Sequence, residues 1–462
     1  MNKRRFILSG HTLCLGLLVL SLSGCSNLRS EYQRPAVTLP NAWQQTTSGH
    51  AVLVGERWWQ QFGDPTLDGL LTQVLERNND LALTGLKLQQ ARLEANLTDS
   101  NLYPTPAVTT HSQVTKALDS ARASTQSHSA SAELSYELDL WGRLASQRDA
   151  SRWEAEATAQ DRAATELSLI GTTATLYWQI AYLNETIALS EASLQDTQRA
   201  LDLTRVKYQA GAISGLDLLQ AQQQVTSQEA ELTQSRQQRV AQRHALTLLF
   251  DGPPEQTLVE RQSLHTLSVP AVPAGLPADL LARRPDLRAS ELRLRSTLAK
   301  ADDTRLSLYP ELTLTGSGGS SSETLSKLLS NPVGALGASV TLPFVDWHKQ
   351  QLKVQVADNE YAQAVVSFRQ HLYQALAEVE DSLSARVYYQ QQAHYLTQSL
   401  ALAKRSEQLA EVRYRQGATG VQEWLDEQKK RRDGESALAQ NRQDQLNNQM
   451  KLYQALGGGV PK

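Results

Sequence analysis

Ser131-Ala132-Glu133-Leu134-Ser135-Tyr136-Glu137-Leu138-Asp139-Leu140 runs directly into Trp141-Gly142-Arg143. Ala132, Leu134, Tyr136, Leu138 and Leu140 fall on one side of an extended chain; Ser131, Glu133, Ser135, Glu137 and Asp139 fall on the other. About ten residues with one apolar and one polar face match a tilted strand that crosses a bilayer and turns its polar side to a lumen. Strands packed on a soluble core alternate too, so alternation by itself leaves both readings open. Two further stretches alternate in the same way. Leu312 and Leu314 interleave with Thr313 and Thr315, and Val340, Leu342 and Phe344 interleave with Ser339 and Thr341.

These stretches belong to a duplication. Asp80-Leu81 recurs as Asp286-Leu287, Tyr103-Pro104 as Tyr309-Pro310, Trp141 as Trp347, Tyr208 as Tyr414, Gly211-Ala212 as Gly417-Ala418, Leu219 as Leu425 and Gln222 as Gln428. Every shift is the same 206 residues (286 minus 80, 414 minus 208). A constant offset across landmarks that span each half means two similar lobes in one chain. Between them lies a connection at 251–277 holding Pro253, Pro254, Pro270, Pro273 and Pro277, which excludes helix there.

Each lobe reads in the same order. A helix, roughly Pro65 to Leu102 or Ala278 to Leu308, runs up to the Tyr-Pro that ends it. Two strands follow, joined by Ser- and Ala-rich loops near Lys116–Ser129 and Ser320–Gly334 that are expected outside the membrane. A very long helix then begins at the Trp and runs to Gln209 or Gln416, and a Gly-rich turn sends a last helix back. Leu167, Ile170, Ala174, Tyr177, Ala181 and Ala188 recur at coiled-coil spacing, as do Val365, Phe368, Leu372, Ala375 and Val379. The expected fold is therefore mainly α with a small β part and two tandem repeats, at 63–250 and 278–456, with a tail at 457–462. Four strands cannot close a barrel and an open edge is not tolerated in lipid, so several chains must share one. Three chains supply twelve strands; two supply eight, which leaves little lumen.

The first 24 residues read as a targeting signal: Lys3, Arg4 and Arg5 precede an apolar run from Phe6 to Leu22, and Leu22-Ser23-Gly24-Cys25 has the form of a bacterial lipobox. Cleavage would leave Cys25 as a lipid-modified N-terminus, followed by an extended segment at 25–62. Cys14, the other of the two cysteines, lies in the removed part, so no internal disulfide remains. A net charge of -3 offers no basic surface for nucleic acid. The nine histidines are scattered, with no pair at metal-ligand spacing, and no catalytic constellation stands out. An enzyme is not expected, nor any cofactor beyond the lipid on Cys25.

In order and spacing, several motifs resemble the TolC family of outer-membrane factors, in particular the lipoprotein branch serving RND-type pumps. They are Cys25 with Tyr32-Gln33-Arg34-Pro35, Trp58-Trp59-Gln60-Gln61-Phe62-Gly63-Asp64-Pro65, Arg284-Pro285-Asp286-Leu287, the two Tyr-Pro pairs, and Leu138-Asp139-Leu140-Trp141-Gly142-Arg143. The resemblance implies a homotrimer with a shared 12-stranded barrel and an α-helical tunnel in the periplasm of a Gram-negative cell. It also implies a periplasmic adaptor and an inner-membrane pump as partners, and a passive efflux duct as function. It assigns the hairpin tips, with Gly211, Ala212, Gly215, Gly417, Ala418 and Gly420, to the adaptor contact. Glu423 and Asp426 would ring the closed entrance, and Tyr414 and Asp217 would hold it shut. The family's basic partner falls near Thr419, which is not basic. Glu133, Glu137 and Asp139 would line the lumen and favour cations. A channel for type I protein secretion and a non-channel coiled-coil scaffold lipoprotein are the alternatives. Replacing Cys25 by Ser is expected to abolish incorporation of radiolabelled palmitate; labelling that persists would place the lipid elsewhere or refute the lipobox.

Overall fold

The computed structural model describes residues 28–45, 57–116, 124–253, 258–270, 275 and 277–458. Cys25 and the signal segment lie outside the described residues. The labelled elements are helices α1 (Pro65–Arg77) and α2 (Asn79–Ser100), strands β1 (Thr105–Thr115) and β2 (Thr125–Leu138), helices α3 (Arg143–Gln209), α4 (Gly215–Leu248) and α5 (Pro285–Leu306), strands β3 (Glu311–Ser322) and β4 (Pro332–Thr341), and helices α6 (Trp347–Arg415) and α7 (Val421–Ala455). The chain divides into two compact units. One is Met1–Val37, Lys87–Ala159 and Ala289–Arg369; the other is Thr38–Leu86, Gln160–Arg288 and Gln370–Lys462.

The first unit holds one antiparallel sheet in the order β1-β2-β3-β4. Its register carries the alternation of β2 across every strand. Val108 faces Ala132, which faces Gly318; Tyr136 faces Leu314, which faces Ala338; Leu138 faces Leu312, which faces Val340. That face is therefore apolar over the half of the sheet next to the helices, and it carries Thr110, Ser112, His128 and Ser320 toward the loops. The other carries Thr109, Ser131, Glu133, Thr313, Thr315 and Ser339 at paired positions. Nothing in the described chain covers the apolar face: Leu336 is 94% exposed and Val108 78%. The alternation read up to Phe344 stops earlier, because β4 ends at Thr341 and Pro343 begins a 3-10 turn.

The strand-to-helix corner explains Leu138-Asp139-Leu140-Trp141-Gly142-Arg143. Asp139 accepts from the backbone N–H of Leu144 (3.1 Å) and Ala145 (2.8 Å), which caps the start of α3. Gly142 supplies the positive φ of 83° that the corner needs. Arg143 pairs with Glu137 at 2.6 Å, and Trp141 Nε1 donates to Pro310 O at 2.8 Å with its ring 5.1 Å from that of Tyr309. The N-terminal segment is tied down in the same unit. Ser30 donates twice to Asp302, and Arg34 forks onto Glu291 at 2.9 and 2.8 Å.

The second unit is a packed helical assembly around aromatic anchors. Trp58 stacks on Tyr453 at 4.7 Å, and Phe62 lies 4.9 Å from Trp178. Asp64 is buried; it caps α1 through Thr66 and Leu67 and accepts from Tyr177 Oη (3.0 Å) and Arg261 Nη1 (3.0 Å). Burial and the neighbouring Asp64 charge push the Tyr177 phenol up from its ordinary value. The motif from Trp58 to Pro65 is thus a plug with a cap at its end.

The helices expected from Pro65 and from Ala278 are each broken. Asn78 leaves the helix with ψ 128°, donates its N–H to Val74 O, and accepts from Leu81 N, so it ends α1 and caps α2. Arg284 is extended (ψ 118°) because Pro285 follows, and its guanidinium holds Asp286 and Glu378. α3 begins two residues later than expected, since Trp141 and Gly142 form the corner.

Helix α7 closes on Gly457, whose φ is 88° and whose missing Cβ would lie 2.7 Å from Arg283 O. Gly63 also has a positive φ, of 65°, but open space around it. Gly457→Ala is expected to cost about 1–3 kcal/mol in backbone strain plus the clash, and Gly63→Ala the strain alone. Thermal unfolding followed by circular dichroism checks this; an equal loss for both would mean that the backbone contact at Gly457 relaxes freely.

Candidate functional site

The two helical hairpins of the second unit end on glycines in the left-handed region, Gly211 (φ 72°) and Gly417 (φ 77°). Gly211 N bonds Tyr208 O and Ala212 N bonds Lys207 O, both at 2.9 Å; Gly417 N and Ala418 N repeat this with Tyr414 O (3.1 Å) and Arg413 O (2.9 Å). These bonds satisfy the last carbonyls of α3 and α6. The 206-residue offset therefore persists in the fold. Ala212, Gly215, Ala418 and Gly420 are all exposed around these turns.

The returning helices start differently. Ser214 and Asp217 form a reciprocal capping box, with the Ser214 hydroxyl 2.7 Å from Asp217 Oδ2 and its N–H 3.1 Å away. At the matching place α7 has Gly420, with no side-chain cap, and Glu423 accepts from Arg413 at 2.8 Å. Asp426 accepts from Gln422 at 2.7 Å. The two tips are close together, since a Cβ on Gly420 would lie 3.7 Å from Asp217 Oδ1.

A small core sits behind them. Tyr414 and Trp424 (ring centroids 5.5 Å apart) pack with Ala200, Ala221, Ala410, Val421 and Leu425. The Tyr414 hydroxyl lies 2.9 Å from Thr204 Oγ1. Lys207 Nζ stands 3.9 Å from the centre of the Tyr414 ring and donates to Tyr414 O at 2.5 Å. Burial raises the Tyr414 phenol pKa. The structure thus gathers Tyr414, Asp217, Glu423 and Asp426 at one end of the helices. The Tyr414 hydroxyl, however, bonds Thr204, while Asp217 bonds Ser214.

Sequence reasoning missed a polar joint farther from the tips. In a cleft of about 570 Å³, Arg431 meets Glu407 (2.5 Å), Glu435 (2.9 Å) and Asp196 (3.5 Å). Lys404 adds a contact to Glu435 at 3.2 Å. Beside it the buried Thr197 hydroxyl meets Gln228 and Gln428. Burial lifts the Glu407 carboxyl above the usual carboxylate range, against the pull of Arg431. Arg431 and Glu435 are spaced i,i+4, which in a sequence is indistinguishable from a solvated surface pair; only the burial of a cluster drawn from three helices sets them apart.

Of the acids assigned to a lumen, Glu133 is exposed on the polar face of β2. Glu137 is occupied by Arg143, and Asp139 lies beyond the end of β2 as the cap of α3. Among the described residues, no group of three or more His, Cys, Asp or Glu side chains is placed to hold a metal, and no helix is long and apolar enough to cross a membrane.

Two tandem lobes, a sheet with one bare apolar face and paired helical hairpins define a class: the outer-membrane channels of efflux systems. Comparison with known proteins agrees. The chain belongs to the outer membrane efflux protein family, which matches residues 70–251 and 276–458. It is 30% identical to the pyoverdine export outer membrane protein OpmQ of Pseudomonas putida, over 97% of each chain. It is 28% identical to toxin and drug export protein A of Aggregatibacter actinomycetemcomitans, over 96% of each. The open-state structure of the Neisseria gonorrhoeae MtrE outer membrane channel superposes with a TM-score of 0.84 at 27% identity, covering 94% of this chain and 99% of that one. The protein is an outer-membrane channel component of an efflux system.

Arg431→Ala would leave Glu407 without its cation, while Arg199 still pairs with Asp196 and Lys404 with Glu435, and a lower unfolding midpoint is expected at pH 7. The Glu407 carboxyl, already lifted by burial, would rise further in the folded state, so stability is regained as the pH falls through that raised value toward the ordinary carboxylate range. A deficit that does not shrink between pH 7 and pH 5 would mean that the joint is not electrostatic.

Proposed function

We propose that three copies of this chain form a passive conduit through the outer membrane, closed at its inner end by the helical hairpin tips until an adaptor engages them. The observation that carries this reading is the sheet. It has two free edges, β1 and β4, and an uncovered apolar face. Unpaired backbone groups at such edges cost several kcal/mol each in lipid, so edges must meet edges of other copies. Three copies give twelve strands and a lumen faced by Ser, Thr and Glu133. Cys25 would carry the lipid that holds the N-terminal segment at the membrane.

In this reading the chain performs no chemistry. Energy comes from an inner-membrane pump, of RND type by resemblance, and a periplasmic adaptor meets Gly211, Ala212, Gly215, Gly417, Ala418 and Gly420 at the exposed turns. Glu423 and Asp426, on one side of the uncapped start of α7, ring the entrance when three copies assemble. Their carboxylates are favoured there by the helix N-terminus, and Arg413 restrains Glu423. Cargo is small molecules, in line with the pyoverdine and drug export in the relatives' names.

Planar-bilayer recording of the purified protein tests the reading. Wild type is expected to open rarely and to prefer cations; Glu423→Ala/Asp426→Ala is expected to conduct several-fold more with weaker cation preference. Absence of channels from both proteins would remove the conduit. An unchanged mutant would remove the acidic entrance and leave the conduit standing.

A further inference from the structure

The two lobes meet inside one chain through a specific contact, and the duplication says where its counterpart lies. In lobe one, Lys207 stands over the Tyr414 ring of lobe two. Shifting each member by 206 residues, forward for Lys207 and back for Tyr414, gives Arg413 and Tyr208. Both are aromatic or basic, as the contact requires, yet they do not meet within the chain. Tyr414 is 1% exposed whereas Tyr208 is 45% exposed. Arg413 is exposed and holds only one edge of its guanidinium against Glu423.

The residues around this contact shift the same way. Leu203, partly buried against the Tyr414 core, becomes Leu409, 61% exposed. Asp196 becomes Leu402, 67% exposed. On the opposite side, Glu407 and Arg431 of the polar joint become Leu201 and Val225, both incompletely buried. The salt-bridged interface within the chain thus has an apolar replica on the two outer flanks of the same chain. Leu402, Leu409 and Arg413 lie on one flank; Tyr208 and Val225 lie on the other, with Leu201 packed against the Tyr414 core.

We propose that these flanks dock on each other between neighbouring copies, with Arg413 of one protomer stacked on Tyr208 of the partner subunit, and that this contact holds the tip ring closed. The occupant is a second copy because the two flanks are complementary by construction: each is the other's partner under the operation that relates the lobes. A head-to-tail contact of this kind closes into a ring when its rotation divides a full turn, as the shared trimer requires. A guanidinium over a phenol ring is a modest attraction, which suits a contact that must break on opening. One detail separates the two interfaces. Thr204, which bonds the Tyr414 hydroxyl, shifts to Ala410, so the Tyr208 hydroxyl gains no such bond. The ring of Tyr208 matters and its hydroxyl does not. The proposal rests on the shared trimer.

The test uses full-length protein in outer-membrane vesicles and a short bis-maleimide. Tyr208→Cys/Arg413→Cys is expected to give linked dimers and trimers on denaturing gels, and neither single variant does. Lys207→Cys/Tyr414→Cys, the control, is expected to link within the chain and form no ladder. Trimers by native mass spectrometry without a ladder would overturn the contact and leave the channel reading intact; monomers alone would overturn both. In bilayers, Tyr208→Ala and Arg413→Ala are expected to raise resting conductance several-fold, with Tyr208→Phe and Arg413→Lys close to wild type. Leakage from Tyr208→Phe equal to that from Tyr208→Ala would refute the stacking.

Discussion

Side chains on a strand alternate with a period of two, and everything in the first unit follows from keeping that period in phase across four strands. A slip of one residue between β2 and β3 would move Leu312 and Leu314 to the face of Glu133 and Ser135. The phase is held where strands become helices. Asp139 caps α3 directly after β2, and Trp141 reaches from that corner to Pro310, directly before β3. Ser296 and Ala150 (2.8 Å), and Gln147 and Asp303 (2.9 Å), hold the adjoining stretches of α5 and α3 side by side. Register in the sheet is thus set by hydrogen bonds outside it.

The second unit solves a different problem. Its long helices carry many small and polar side chains, so aromatic rings concentrated at a few places anchor a core otherwise built of Leu, Ile, Val and Ala. Trp58, Phe62, Trp178 and Tyr453 form one such cluster, and Tyr414 with Trp424 forms another. Asp64 joins a helix start, a phenol and a guanidinium in the first cluster, each supplying a donor to a carboxylate that would be costly to bury alone. The Arg431 joint does the same with signs reversed.

Periodicity made most of the fold legible. The alternation of Ser131–Leu138, the offset between Gly211 and Gly417, and the Pro-rich connection each have a local physical cause that leaves a local mark. Breaks in helices were not legible. Asn78 interrupts a pattern that reads as continuous, because its role depends on partners at Leu81 and Leu249. At the tips, glycine signalled the turns, but the partners of Tyr414 and Asp217 were not readable. A tyrosine hydroxyl takes whichever acceptor the packed helices bring near, and Thr204 is 210 residues away in the chain. The Arg431 joint left no mark because burial alone distinguishes it.

The sheet order has a consequence for how the chain acquires its shape. β1 pairs with β2 and β3 with β4 across short connections, but β2 pairs with β3 across residues 139–310. Loop-closure entropy makes the hairpins early and the central seam late. Until α3 and α5 lie side by side, each hairpin carries two unpaired edges, one of which the seam closes. The seam between the lobes is therefore the slowest feature of the sheet to form, and the helices serve as its template before they serve as anything else.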